Sequence, residues 1–220
     1  MDSDNGESTG RAEIAFCAGA PILVAGLGNP EPKYLRTPHN LGFLTLDELQ
    51  RRWGAPRRAE ARFRGETASA RLGDWRVHLL APTTYMNLSG EAVGALCDYY
   101  GIPPENALVV CDDHDLPWGR LRLRAEGGTG GHKGLASIEQ RLGTQRYPRL
   151  RIGIRPSNVR GDLAGYVLSP FHGEGLEWWP VMTAAAADAI ETAVREGLRA
   201  AMTRFNGLNL AAKDCERSKS

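Results

Sequence analysis

A chain of 220 residues, 42% apolar and 24% charged, is long enough for one domain with a substantial core and has the make-up of an ordinary globular protein. No apolar run reaches the ~18 residues of a membrane span, and a net charge of +1 does not by itself announce a nucleic-acid partner. The four scattered cysteines (Cys17, Cys97, Cys111, Cys215) lack metal-ligand spacing and read as reduced thiols of a cytoplasmic protein.

Residues 1–20 read as a polar, poorly ordered leader. There Asp2, Asp4, Glu7 and Glu13 face Arg11 alone, which opposes a secretory signal or an Arg-rich transit peptide. Pro21 to Gly26 is a short apolar run ending in glycine, the pattern of a buried strand. A Pro- and Gly-rich loop leads to His39, and Leu46, Leu49 and Trp53 predict a helix from Leu41 to Trp53. Gly65 to Leu72 and Trp75 to Leu80 predict paired strands around the Gly73-Asp74 turn. Ser89 is the expected N-cap of a helix to Tyr100, closed by Gly101 and Pro103. Ala107 to Val110 is another buried strand, followed by the acidic run Cys111-Asp112-Asp113-His114-Asp115. Arg120 to Arg124 alternates as a half-wet strand does. A helix from Lys133 to Leu142, a strand from Leu150 to Ile154 and a helical region from about Gly175 follow, with a polar tail at 207–220. The order of elements predicts a single domain over 21–206: a three-layer α/β/α sandwich around a mixed, mostly parallel sheet.

Asn29, Asn87 and Asp112 each fall just after a predicted parallel strand, on the rim where open α/β sheets bind ligands. His39 lies on the loop after the first strand and can fold over the same rim. A neutral imidazole can take a proton from water near pH 7, and an asparagine amide can both donate to and accept from an ester or amide. The set suggests hydrolysis by an activated water, with no cysteine or serine nucleophile. Asp112 would accept from that water or from His39; the alternative for Asp112, Asp113 and Asp115 is loop capping or a weak Mg²⁺ site.

The tract Gly127 to Gly134 is able to move as a lid or to let a ligand approach its backbone. It is no Walker A loop, since His132 precedes Lys133 and Gly134 replaces Ser/Thr; Glu31 and Pro30 likewise break a dinucleotide fingerprint. No cofactor and no metal are expected. Only four of the 27 basic residues are lysines (Lys33, Lys133, Lys213, Lys219). Arg120, Arg122 and Arg124 would project from one strand face about 6–7 Å apart. They read either as a charge-guarded edge or, with Arg151, as a phosphate-binding ridge.

Gly26-Leu27-Gly28-Asn29-Pro30, Tyr34, His39-Asn40-Leu41-Gly42, Pro82 to Gly90, Asp112 to Pro117, Gly130-Gly131-His132 and Leu150 to Ile154 occur in the order seen in bacterial peptidyl-tRNA hydrolases, which the chain resembles over about residues 22–205. The resemblance implies hydrolysis of the ester between a peptide and the 3′ ribose of tRNA, recycling tRNA from stalled ribosomes. It implies His39 as general base and Asp112 as its orienting carboxylate. Asn29 and Asn87 would hold the scissile carbonyl, the first peptide residue and the 3′ nucleotide. Tyr85 and Met86 would line the peptide channel, with Tyr34 among the substrate-binding residues. Arg122, Arg124 and Arg151 match basic positions for tRNA phosphate. The expected partner is the acceptor stem and 3′ end of peptidyl-tRNA, met by a monomer. The family usually has asparagine where this chain has Lys133. Close to His39, that ammonium would lower the histidine pKa; pointing outward, it would bind phosphate on the substrate side. His114 is assigned no role. Two rivals remain: an RNA-binding protein on this fold without turnover, as in plant organelle splicing factors, and a small-molecule esterase.

Overall fold

The computed structural model describes residues 15–156 and 163–210. In chain order these form β1 (Ile22–Gly26), α1 (Leu41–Trp53), β2 (Arg58–Glu60), β3 (Gly65–Leu72), β4 (Trp75–Pro82), α2 (Ser89–Tyr100), β5 (Ala107–Pro117), β6 (Leu121–Arg124), α3 (Lys133–Leu142), β7 (Arg149–Arg155), α4 (Leu163–Val167), α5 (Glu174–Glu196) and α6 (Leu198–Phe205). The strands make one sheet in the order β2-β3-β4-β1-β5-β7-β6. Its centre, β4-β1-β5-β7, is parallel, and antiparallel pairs close both edges.

Helices α1, α5 and α6 bury one face of the sheet through Leu46, Leu49, Ile190 and Phe205, and α2 and α3 bury the other through Val93, Leu96, Leu135 and Ile138. This double burial explains the unbroken apolar run of β1, where Leu23, Val24 and Ala25 are wholly inaccessible. Each such leucine or valine contributes about 1.5–3 kcal/mol. Helices α1, α2 and α3 end on glycines in the left-handed region, Gly54, Gly101 and Gly143. No helix among the described residues is long and apolar enough to cross a membrane.

Four expectations change. Ser89 is not the N-cap of α2: a 3₁₀ turn over Met86–Leu88 runs straight into the helix, so Ser89 is already helical and its hydroxyl donates to the Met86 carbonyl. The acidic run is not a loop after β5 but its continuation, because β7 still pairs with Asp112 and Asp113 after β1 has ended. Arg120 falls outside β6, and its guanidinium is tied to the Leu208 carbonyl. The leader does not reach residue 20: the Phe16 ring meets Trp75 at 6.1 Å, and the buried Asn106 side chain bonds both backbone groups of Cys17. Residues 1–14 and most of the predicted tail, 211–220, lie outside the described residues. The short α4 was not foreseen, since five residues are too few for a readable period.

Candidate active site

The rim formed by the carboxyl ends of β4, β1 and β5 carries the site, and two glycines decide how closely α1 approaches it. A Cβ on Gly26 would strike the Gly42 carbonyl, and one on Gly42 would strike the Leu27 backbone. Their absence lets the first turn of α1 sit on the end of β1. That fixes the preceding 3₁₀ turn, Pro38–Asn40, over β5. The buried Asn40 amide clamps the loop by accepting from the Asn29 N–H at 2.7 Å and donating to the Asn29 carbonyl at 2.9 Å.

The turn delivers His39 to Asp112. The His39 Nδ1–H donates to Asp112 Oδ1 at 2.8 Å, with the carboxylate 3% and the imidazole 16% exposed. A second imidazole reaches the same oxygen. His132 caps α3, its Nδ1 accepting from the N–H groups of Gly134 and Leu135, so its proton resides on Nε2 and donates to Asp112 Oδ1 at 3.2 Å. Burial pushes the Asp112 pKa up, but the two histidines outweigh it and hold the carboxyl well below the usual carboxylate range. His39 balances in the opposite sense. Burial lowers its pKa and Lys133 lowers it further, yet the charge and hydrogen bond of Asp112 leave it above 6.5. The ammonium thus acts in the expected direction without setting the outcome.

The donor atoms of His39, Asp112 and His132 lie within 4.8 Å of one another, close enough to suggest a metal. The chemistry of the set argues against one: His132 can ligate through Nε2 only by moving its proton to Nδ1, which would break the α3 cap. Burial also pushes the Cys97 and Cys111 thiols up, which makes them poor nucleophiles.

The cluster opens into a cleft of about 420 Å³ lined by His39, Asp112, His132, Lys133, Val167 and Leu168 among others. Asn29 and Asn87 sit on the same rim with no side-chain partner among the described residues, and Tyr85 is exposed. Met86 is instead buried against Leu27 and Leu135, in a space that the missing side chain of Gly134 leaves open. Tyr34 is half-buried beside the Lys33 ammonium.

The arginine ridge divides. Arg122 and Arg124 are exposed and have no partner among the described residues. Arg151, opposite Arg122 in register, is only 11% exposed; it pairs with Asp113 at 3.3 Å and donates to the Gly128 carbonyl at 2.9 Å. Its neighbour Arg149 is buried, stacks 4.1 Å from the Tyr147 ring and donates to the carbonyls of Gly127, Gly128, Gln145 and Tyr147. Both arginines therefore hold the glycine tract rather than face solvent. Sequence reading overlooked the roles of Arg149 and His132, because their partners are set by tertiary packing. The one available signal for His132 was its place directly ahead of a predicted helix.

Fold and cluster together define a class: three-layer α/β proteins with an acid–imidazole site on the carboxyl rim of the sheet. Residues 23–214 match the peptidyl-tRNA hydrolase family. A peptidyl-tRNA hydrolase of Chloroflexus aggregans is 48% identical over 187 residues, 84% of this chain and 99% of its own. One from Synechococcus sp. (strain JA-3-3Ab) is 44% identical over 192 residues, covering 87% and 85%. The crystal structure of the Acinetobacter baumannii peptidyl-tRNA hydrolase superposes with a TM-score of 0.80 at 31% identity, over 86% of this chain and 96% of that one. The chain belongs to the peptidyl-tRNA hydrolase family.

Proposed function

We propose that this protein hydrolyses the ester of peptidyl-tRNA by water that His39 activates, with neither a metal nor a covalent intermediate. The observation that carries the reading is the buried Asp112 carboxylate held against His39 Nδ1–H, which leaves the Nε2 lone pair without a partner among the described residues. Nε2 takes a proton from water as the water oxygen bonds to the ester carbonyl carbon. The resulting imidazolium is stabilised by Asp112 and returns the proton to the departing 3′ ribose oxygen as the carbon–oxygen bond breaks. Asn29 and Asn87, with free amides on the rim, hold the carbonyl and the 3′ nucleotide. Tyr34 and Tyr85 shape the peptide side, backed by the buried Met86, and the exposed Lys133 lines the cleft on the substrate side. Arg122 and Arg124 meet acceptor-stem phosphates without reading sequence, and Arg151 supports them from behind through the glycine tract. The protein acts as a monomer, in the cytoplasm where peptidyl-tRNA arises.

The decisive assay follows release of acyl-amino acid from N-acetyl-aminoacyl-tRNA, beside free aminoacyl-tRNA and a short acylated 3′ fragment. Release from the blocked full-length tRNA well above both controls is expected. No release would leave an RNA-binding protein; equal rates on tRNA and fragment would leave a general esterase.

A further inference from the structure

We propose that the acidic leader of this chain, residues 1–14, docks along the bare outer edge of β3, in an arginine-lined groove at the end of the sheet opposite the His39 cleft. Strand β2 pairs only with Gly65 to Thr67, so Ser69 to Leu72 have no strand partner on their outer side among the described residues. Because β3 runs against β4, this free stretch lies where β4 and β1 begin, far from the carboxyl rim. A groove of about 580 Å³ follows it, lined among others by Trp53, Arg58, Ser69, Arg71, Leu72 and Arg195.

The groove is cationic with no internal counter-charge. Arg58, Arg71 and Arg195 are exposed and without an acceptor among the described residues. The nearby carboxylates of Glu48, Asp188 and Glu191 are all engaged by Arg52. Arg71 also stands directly across the hairpin from Arg76, a like-charged pair that repels. An exposed strand edge invites an added strand through its free N–H and C=O groups. Flanking guanidinium groups select an acidic one.

The leader fits by charge, place and length. It carries Asp2, Asp4, Glu7 and Glu13 against Arg11. It enters the fold beside the groove: Phe16 packs on Trp75, the register partner of Leu72. The next residue, Cys17, is tied to Asn106 ahead of β5. Fourteen residues span up to about 45 Å extended, against about 13 Å for the free edge. Tethering gives an effective concentration of order 1 mM, so a segment with an intrinsic Kd of about 0.1 mM would slow exchange of the covered amides roughly tenfold.

Hydrogen exchange of the Ser69–Leu72 amides tests this in the full chain, in a chain without residues 1–14, and in a full-length Asp2→Asn, Asp4→Asn, Glu7→Gln, Glu13→Gln variant. The β1 amides serve as the check on folding. Roughly tenfold faster exchange in both altered chains, at every protein concentration, is expected. A full chain with Arg58→Glu, Arg71→Glu and Arg195→Glu should behave like the shortened one. Equal rates in all chains overturn the proposal. Protection that grows with protein concentration would assign the edge to a second copy, and protection that needs added tRNA would assign it to RNA; either also overturns it.

Discussion

At the scale of single residues, the site depends on one carboxylate oxygen shared by two imidazoles that differ in freedom. His132 has both nitrogens committed, whereas His39 keeps one for chemistry. Replacing His39 by alanine should lower kcat about 10²–10⁴-fold, the span of a general base; near-normal turnover in a steady-state assay would remove it from that role. As the proposed base, His39 has to be neutral to act, and Asp112 holds its pKa above 6.5. The acid limb of kcat/KM should therefore fall above pH 6.5. It should move down in Asp112→Asn, with a lower plateau, and up in Lys133→Asn, which removes the opposing ammonium. A pH–rate profile of the three proteins checks both directions. The same pair links pH to folding with opposite signs. The His39 contribution is complete below pH 6.5 and fades as pH rises through its raised value. That of Asp112 is present above pH 3.8 and fades in strong acid.

At the scale of elements, helix α3 depends on its cap and the site depends on α3. Losing the cap by His132→Ala should cost about 0.5–2 kcal/mol, a Tm drop of several degrees in a chain this size. His132→Asn should restore much of the Tm, since asparagine caps well, yet stay slow because Asp112 has lost a donor. Thermal melts beside kcat separate these effects, and full activity in His132→Asn would reduce the residue to a cap. Elements were the most legible level of the sequence. The bounds of α1 and α3 follow from apolar period and a glycine just past each end, both local signals. The length of β5 was hidden because β7, some forty residues on, supplies the pairing that keeps Asp112 extended. Likewise, nothing local announces that Arg151 turns to Asp113 and Gly128. The His39–Asp112 pairing could be read; the tertiary partners of His132, Arg149 and Arg151 could not.

At the scale of the whole molecule, the proposed surface for tRNA rests on few free charges. Arg122→Ala with Arg124→Ala should weaken substrate binding and make log KM less dependent on log salt, by about one unit of slope for each phosphate no longer neutralised. An unchanged slope in KM measured across salt would take both off the tRNA surface. Arg151→Ala should behave differently, lowering kcat more than it alters the slope, because its bonds are internal. Fixing the backbone of one residue costs about 1–2 kcal/mol, and glycine loses the most freedom, so the run of glycines ahead of His132 is costly to keep ordered. Arg149 and Arg151 supply that order from the sheet by gathering the carbonyls of Gly127 and Gly128. A segment written in the alphabet of a linker is thereby made a strut. The tract that could move as a lid is braced at its base, and glycine provides two things there: the φ of +147° that Gly127 needs to present its carbonyl, and room at Gly130, where a Cβ would come within 3.0 Å of the Arg151 guanidinium.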